Sequence, residues 1–391
     1  MKICRVEIFP IRHPIQIRAD YSWGSYTYDE SVVVRVTSDE GVTGVGSCGG
    51  LRPHFSGESV DGAISNIKRI AQEYLLGENP FDIERIMTHI DEMLLGNNCT
   101  KSTIDCALYD LKGKALGVPV YELLGGKCRD KAKLHWVVCS AADNETIVEE
   151  ACSAVNAGYK EVKVRGFGNV KEDVERFMAV RKAVGPDVGI AIDCNGAYQD
   201  VKTAMEALSV MADNGLVCAE EPLARNNIKG LKYLKDNLRT MISVDESGWG
   251  LEEIVNLIRA DAVDAVELVP CRIGGLTKAM KVRNICDAFG LERTLTQYGQ
   301  NGICNAATAH LIAASPAPES KIEELGGYLN YHAKKGFFDT EHVIDDIIVK
   351  PSVTIENGVL FIPDTPGLGV ELDEENLKRF QMPGYASVVV E

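Results

Sequence analysis

Three short apolar runs in this 391-residue chain each end in an acid: Ala-Ile-Asp193-Cys-Asn, Cys-Ala-Glu220-Glu-Pro and Ser-Val-Asp245-Glu-Ser. The acids stand 27 (220 − 193) and 25 (245 − 220) residues apart, about one strand-and-helix unit each. Carboxylates gathered in one volume repel unless a cation neutralises them. Oxygen-only ligation favours a hard divalent ion, and Mg²⁺ leaves coordination positions open for a substrate. Taken singly, an acid at a strand end reads as a solvated loop residue or a helix N-cap; three in register on consecutive strands are harder to read that way. Glu221 and Glu246, the second acids of their pairs, stay open as ligands by pattern, although alternation sends only one of each pair inward. Upstream, Glu161-Val-Lys163-Val-Arg165 puts Glu161, Lys163 and Arg165 on one face. If that face meets the acids, desolvation and a cationic neighbour depress the Lys163 pKa and make it a base near neutral pH. A plain salt bridge to a ligand carboxylate is the competing reading, of equal weight for Arg165.

Something must hold these residues together. The runs Leu134–Val138, Glu161–Val164, Val188–Asp193, Val217–Glu220, Ile242–Asp245, Ala265–Val269, Arg293–Thr296 and Lys321–Leu325 read as strands. Helical patterns separate them, as at Val170–Val184, Val201–Asn214, Leu251–Arg259 and Leu276–Phe289. Eight strands alternating with helices predict an α/β fold, a modified (β/α)8 TIM-like barrel over residues 131–335, with functional residues at the C-terminal strand ends. Residues 1–130 read as an α+β capping domain: strands Lys2–Phe9 and Ser31–Thr37 around an aromatic-rich loop, then helices Val60–Leu76, Asp82–Leu95 and Lys101–Leu116. Gly117 and Pro119 stop the last helix. Residues 336–391 carry strand-like Val353–Ile355 and Val359–Phe361 and are expected to return to the cap.

The formal net charge of −16, from 41 basic and 57 acidic residues, argues against a nucleic-acid partner. No apolar run reaches the roughly 18 residues of a membrane helix, and the N-terminus lacks a signal-peptide core. The 12 cysteines include no CxxC pair and fit reduced, buried thiols in a cytoplasmic protein.

The segment Ala107-Leu-Tyr-Asp110-Leu-Lys-Gly113 through Gly117-Val-Pro119 to Gly125-Gly126, the three acidic motifs and Arg272-Ile-Gly274-Gly275 together resemble the enolase superfamily, in its mandelate racemase and muconate-lactonizing branch. The resemblance spans nearly the whole chain. It implies that Asp193, Glu220 and Asp245 bind Mg²⁺, which grips a substrate carboxylate and stabilises an enolate dianion. It also implies a Lys-x-Lys pair at the end of the second strand, met here as Lys163-Val-Arg165, with Lys163 alignable to either position. Glu323 matches an eighth-strand glutamate that hydrogen-bonds the substrate carboxylate; a salt bridge at the barrel end is its plainer reading. Assembly into a homo-oligomer is expected by resemblance alone.

Two departures bear on the reaction. Where lactonizing-type members carry a second lysine, five residues before Gly274, stands Val269; the seventh strand ends in Thr296-Gln297-Tyr298 rather than in a histidine. Two-base proton transfer lacks its usual second base, whereas one base suffices for β-elimination or cycloisomerisation. Tyr298 is a candidate acid or pocket wall, Gln297 a substrate contact, and His135 a core histidine or substrate-orienting group. His310 reads most simply as a helix-packing residue. The cap's aromatic stretch, Arg18 to Tyr26 with Trp23, and a second loop carrying Arg52, His54 and Phe55 form the expected lid over a compact substrate. The leading expectation is a dehydratase of a small hydroxy acid. A racemase, epimerase or cycloisomerase is the alternative, and a non-catalytic ligand-binding barrel is the reading from another class.

Overall fold

The computed structural model describes residues 1–21, 24–138, 143–296, 301–325, 347–349 and 353–391. Trp23, Gln297 and Tyr298 lie outside the described residues, as does the side chain of Tyr26.

The cap begins with two long antiparallel strands, β1 (Ile3–Tyr21) and β2 (Gly24–Ser38), paired from Ile3↔Ser38 to Tyr21↔Gly24. The stretch expected as a loop after Phe9 is therefore the arm of a β-hairpin. Apolar–polar alternation continues beyond Phe9, and pairing satisfies the backbone that a loop would leave to water. The register shifts between Pro14 and Ala19, where a proline's missing N–H disturbs the ladder least. After a turn at Asp39–Gly41, β3 (Thr43–Cys48) pairs with β2. Helices α1 (Val60–Ile70, continued by one π turn to Leu75), α2 (Ile83–Met93), α3 (Asn98–Leu116) and α4 (Val120–Leu123) follow. Helix α3 lies directly on β3 because Gly44 and Gly46 carry no side chain; a methyl at either would strike the carbonyls of Ala107 or Thr103. Gly117, at φ 69°, ends α3 in the left-handed conformation that the helix-stop pattern predicts.

The barrel elements run β4 (Lys131–Leu134), β5 (Trp136–Val137), α5 (Asn144–Asn156), β6 (Glu161–Arg165), α6 (Val170–Val184), β7 (Gly189–Asp193), α7 (Val201–Asp213) and β8 (Leu216–Glu220). They continue α8 (Ile228–Asn237), β9 (Met241–Val244), α9 (Leu251–Arg259), β10 (Ala265–Leu268), α10 (Pro270–Ile273), α11 (Leu276–Phe289), β11 (Glu292–Leu295), α12 (Gly302–Ala313) and β12 (Ile322–Glu323). Seven strands lie in the parallel order β5-β6-β7-β8-β9-β10-β11. The ring closes through β12, which pairs with β4 on one side, while on the other Glu324 N, just past β12, donates to Leu295 O of β11 at 3.1 Å. Apolar residues such as Val162, Val164, Ile190 and Ile192 face the helices and are fully buried, leaving polar alternates for the interior.

In the tail, β13 (Thr354–Glu356) and β14 (Val359–Phe361) form a hairpin on the edge of β4. After α13 (Glu374–Arg379), β15 (Val388–Val390) joins β1 of the cap sheet. Buried Asp110 ties three parts together, accepting from Val45 N (2.8 Å), Leu368 N (2.7 Å) and Lys114 Nζ (2.6 Å). Asp105 of α3 accepts from Thr277 N and Oγ1 and so docks the cap on α11. No helix among the described residues is long and apolar enough to cross a membrane.

Candidate active site

Parallel pairing sets the acids side by side. Arg165, Asp193, Glu220 and Ser243 are register partners across β6 to β9. Asp193 and Glu220 are 2% and 4% exposed, and Asp245, just past β9, is 6% exposed. Each has its own cation: Arg165 binds Asp193, Arg272 binds Asp245, and Lys163 Nζ stands 2.7 Å from Glu220 Oε2. Burial raises the carboxyl of Asp193, with Arg165 opposing; burial and Asp193 together push Glu220 well above the carboxylate range.

The neighbouring acids divide in role. Glu221, at φ 39°, turns away and accepts from Asp245 N (2.9 Å) and Ser247 N (3.0 Å), holding the turn that presents Asp245. Glu246 stays in the cluster: Asn195 Nδ2 bridges Asp193 and Glu246 Oε1, while Glu246 Oε2 is buried without a hydrogen-bond partner among the described residues.

As the side chains stand, no three His, Cys, Asp or Glu residues among those described are placed to hold one metal ion together. Arg165, Lys163 and Arg272 each engage one of the acids instead. The donor set nonetheless fits a hard divalent cation. It is all oxygen, it is buried where uncompensated carboxylates resist ionising, and it includes the orphaned Glu246 oxygen.

Lys163 is 3% exposed and also pairs with Glu324. Burial works to lower the Lys163 pKa, while Glu220 and Glu324 raise it well above its ordinary range as long as no cation offsets them; the expected depression belongs to the site with a cationic neighbour. The eighth-strand expectation changes. Glu323 points away from the site, to Arg129 and to the N–H of Leu295 at 2.6 Å, and takes part in closing the barrel. Glu324 faces inward instead, bonded to His135 Nε2 (2.6 Å), Thr296 Oγ1 (3.0 Å) and Lys163. Pairing of Glu323 with Leu134 fixes this parity, because a one-residue step reverses the face. His135 is a core residue between Glu161 (3.2 Å) and Glu324; burial would lower its pKa, but the two acids raise it to about 9.

Sequence reasoning missed Glu267, buried on β10 across the barrel from Lys163, with Oε2 lacking a hydrogen-bond partner among the described residues. Its place in the apolar run Ala-Val-Glu-Leu-Val hid it, and only its parity with Ala265 could have shown it. Val269 is buried against the cap core. His54 is exposed on the cap turn; its neighbour Phe55 packs edge-on to Trp249, with ring centres 5.7 Å apart. His310 packs in α12 beside Tyr121.

A closed barrel with acids at three successive strand ends, under an α+β cap, is the build of an enolase-superfamily enzyme. Residues 2–125 match the family described as Mandelate racemase / muconate lactonizing enzyme, N-terminal domain, and residues 146–376 match Enolase C-terminal domain-like. The chain belongs to the mandelate racemase/muconate lactonizing enzyme family and is an enzyme. It is 28% identical to the N-succinyl-L-Arg/Lys racemase of Bacillus cereus over 97% of this chain and 98% of that protein. The solved structure of that racemase superposes with a TM-score of 0.90, each chain covered in full. Muconate cycloisomerase 1 of Pseudomonas putida is 28% identical over 96% of this chain and 97% of that protein. A dipeptide epimerase from Enterococcus faecalis, solved with Mg and L-Leu-L-Tyr, is 26% identical with a TM-score of 0.85 over 95% of this chain and 100% of that one.

Proposed function

We propose that the enzyme removes the α-proton of a small carboxylic acid, with Lys163 as base and Asp193, Glu220 and Asp245 as the residues that would hold Mg²⁺. The observation that carries this reading is the placement of a buried lysine amine inside a buried cluster of acids at the barrel mouth. Bound there, Mg²⁺ supplies positive charge that offsets the acids and stabilises the negative charge developing on the substrate carboxylate. Glu220 and Glu324 fix Nζ in place, and Lys163 becomes a base once the charge facing it is compensated. Glu324 is itself aimed by His135 and Thr296. Arg165 orients Asp193 and stands next to the reacting volume, a supporting role rather than that of base.

Val269 offers no proton acceptor where lactonizing-type relatives carry a second lysine, which favours chemistry served by one base: Lys163 takes the α-proton and hands it to a leaving hydroxyl, which departs as water. β-Elimination of water from a hydroxy acid fits that constraint. A second reading, racemisation, epimerisation or cycloisomerisation of a carboxylate, is favoured by the activities named for the relatives. Tyr298, Gln297, Trp23, Tyr26 and His54 remain candidates for the acid and the substrate contacts.

A library of hydroxy and acylated carboxylic acids, incubated with the enzyme and Mg²⁺ and analysed by mass spectrometry, tests the assignment. Loss of water from one class supports elimination. A product of unchanged mass but altered configuration or ring state supports isomerisation. No conversion together with no α-deuteration in D₂O would overturn the enolate reading.

A further inference from the structure

The barrel mouth carries a cation that the chemistry above does not use. Arg225, in the loop after β8, is exposed, and its guanidinium lies 4.3 Å from the centre of the Trp249 ring. Among the described residues it makes no ion pair. The loop is well anchored: Gly196 N donates to Glu221 O (2.7 Å), Tyr198 bridges to Leu223, and Asn226 N donates to Ser247 Oγ (3.3 Å). The loops after β7, β8 and β9 are thus laced together beneath Arg225.

Trp249 joins three regions. Phe55 of the cap meets its ring at 80° and 5.7 Å, Arg225 stacks on it, and the buried guanidinium of Arg272, which holds Asp245, lies 5.8 Å from it. Arg225 and Arg272 share one ring, so Trp249 links the exposed cation to the arginine that holds Asp245 of the acid cluster. A guanidinium stacked on an indole keeps its fork of N–H donors directed outward in its own plane. That fork matches a carboxylate with two parallel hydrogen bonds. In a chain of net charge −16, an exposed arginine with no ion pair among the described residues supplies a local attraction for an anion.

We propose that Arg225 on its Trp249 platform is a subsite for a second anionic group of the substrate. The substrate class is then a carboxylic acid that carries a second, terminal carboxylate at the end remote from the reacting α-carbon. This inference rests on the enolate reading for the reacting end of the molecule. A merely packing role for the stack would leave turnover indifferent to the charge at the far end of the substrate.

The test compares Mg²⁺-dependent α-proton exchange in D₂O for pairs of acids of equal length, one ending in a carboxylate and the other in a carboxamide. The expected result is a kcat/KM about tenfold higher for the carboxylate member, expressed in KM and shrinking as salt is raised. Arg225→Gln should erase the preference by raising KM for the carboxylate member, and Arg225→Lys should keep part of it. An unchanged urea midpoint for both variants shows that the mouth is still folded. Equal exchange of both members by the wild type, or a preference that survives Arg225→Gln, overturns this inference and leaves the enolate reading standing. Exchange of no acid in any pair overturns both.

Discussion

Glu323 and Glu324 are adjacent, buried and chemically alike, yet they face opposite sides of the barrel wall, and single Glu→Gln changes separate them. Glu323→Gln keeps an acceptor for the Leu295 N–H but removes the charge facing Arg129. Breaking a buried ion pair on one side costs about 3–5 kcal/mol, and an amide that still accepts a hydrogen bond brings this to about 1–3 kcal/mol. The cost falls on barrel closure, so the urea midpoint should drop while α-proton exchange stays close to wild type. Glu324→Gln strips one of the two anions at Lys163 and leaves the amine to Glu220 alone, at 2.7 Å. Exchange should fall about 10- to 100-fold, the scale seen when a partner orienting a working side chain is lost. Stability should change less than in Glu323→Gln, because His135 sheds its proton once one of its two acids is gone. Exchange followed by proton NMR, with urea unfolding in parallel, reads both effects. Lost exchange in Glu323→Gln with normal exchange in Glu324→Gln would refute the face assignment.

Burial raises Asp105 to about 6 from 3.8, against Thr277, which lowers it. Between about pH 4 and 6 the folded state therefore holds a proton that the unfolded chain releases, and stability falls as pH rises through that window. Asp105→Asn should lack this slope, so its stability relative to wild type should rise by about 3 kcal/mol between pH 4 and 7 in urea titrations. Burial lowers His310 to about 4 from 6.5, so the unfolded chain binds the extra proton and stability is lost as pH falls from about 6.5 to 4. His310→Gln should remove about 3 kcal/mol of that acid sensitivity in the same titrations. Gly275 sits at φ 111° with the Asp105 carboxylate where a Cβ would be, so Gly275→Ala should cost about 2–4 kcal/mol and loosen the cap, seen as earlier proteolysis at the cap–barrel junction.

Much of this was legible in the sequence because barrel strands repeat one pattern. Helices Val170–Val184, Leu251–Arg259 and Leu276–Phe289 begin and end where their periodicity places them, and Asp193 and Glu220 end their strands as expected. What escaped was parity in short or apolar runs. Strand β12 has two residues, so Lys-Ile-Glu323-Glu324-Leu holds no alternation to count. Glu267 is a lone acid in a run otherwise apolar on both faces. Arg272 was visible only as part of a glycine turn, although it is fully buried against Asp245. For Lys163 the sequence supplies the burial but not the two acids that hold its amine, Glu220 and Glu324. The aromatic-rich arm beyond Phe9 suits a loop as well as a strand on residue type, and only its pairing with β2 decides for the strand.

The central claim is that Lys163 removes an α-proton within a divalent-cation site. Its most direct test is deuterium incorporation at the α-carbon of an identified substrate, with and without Mg²⁺, in wild type and Lys163→Ala. The account predicts incorporation by the wild type only with Mg²⁺, and a loss of about 10²- to 10⁴-fold in Lys163→Ala, the usual contribution of a general base. Incorporation by Lys163→Ala at the wild-type rate, or by the wild type after exhaustive chelation, would contradict it.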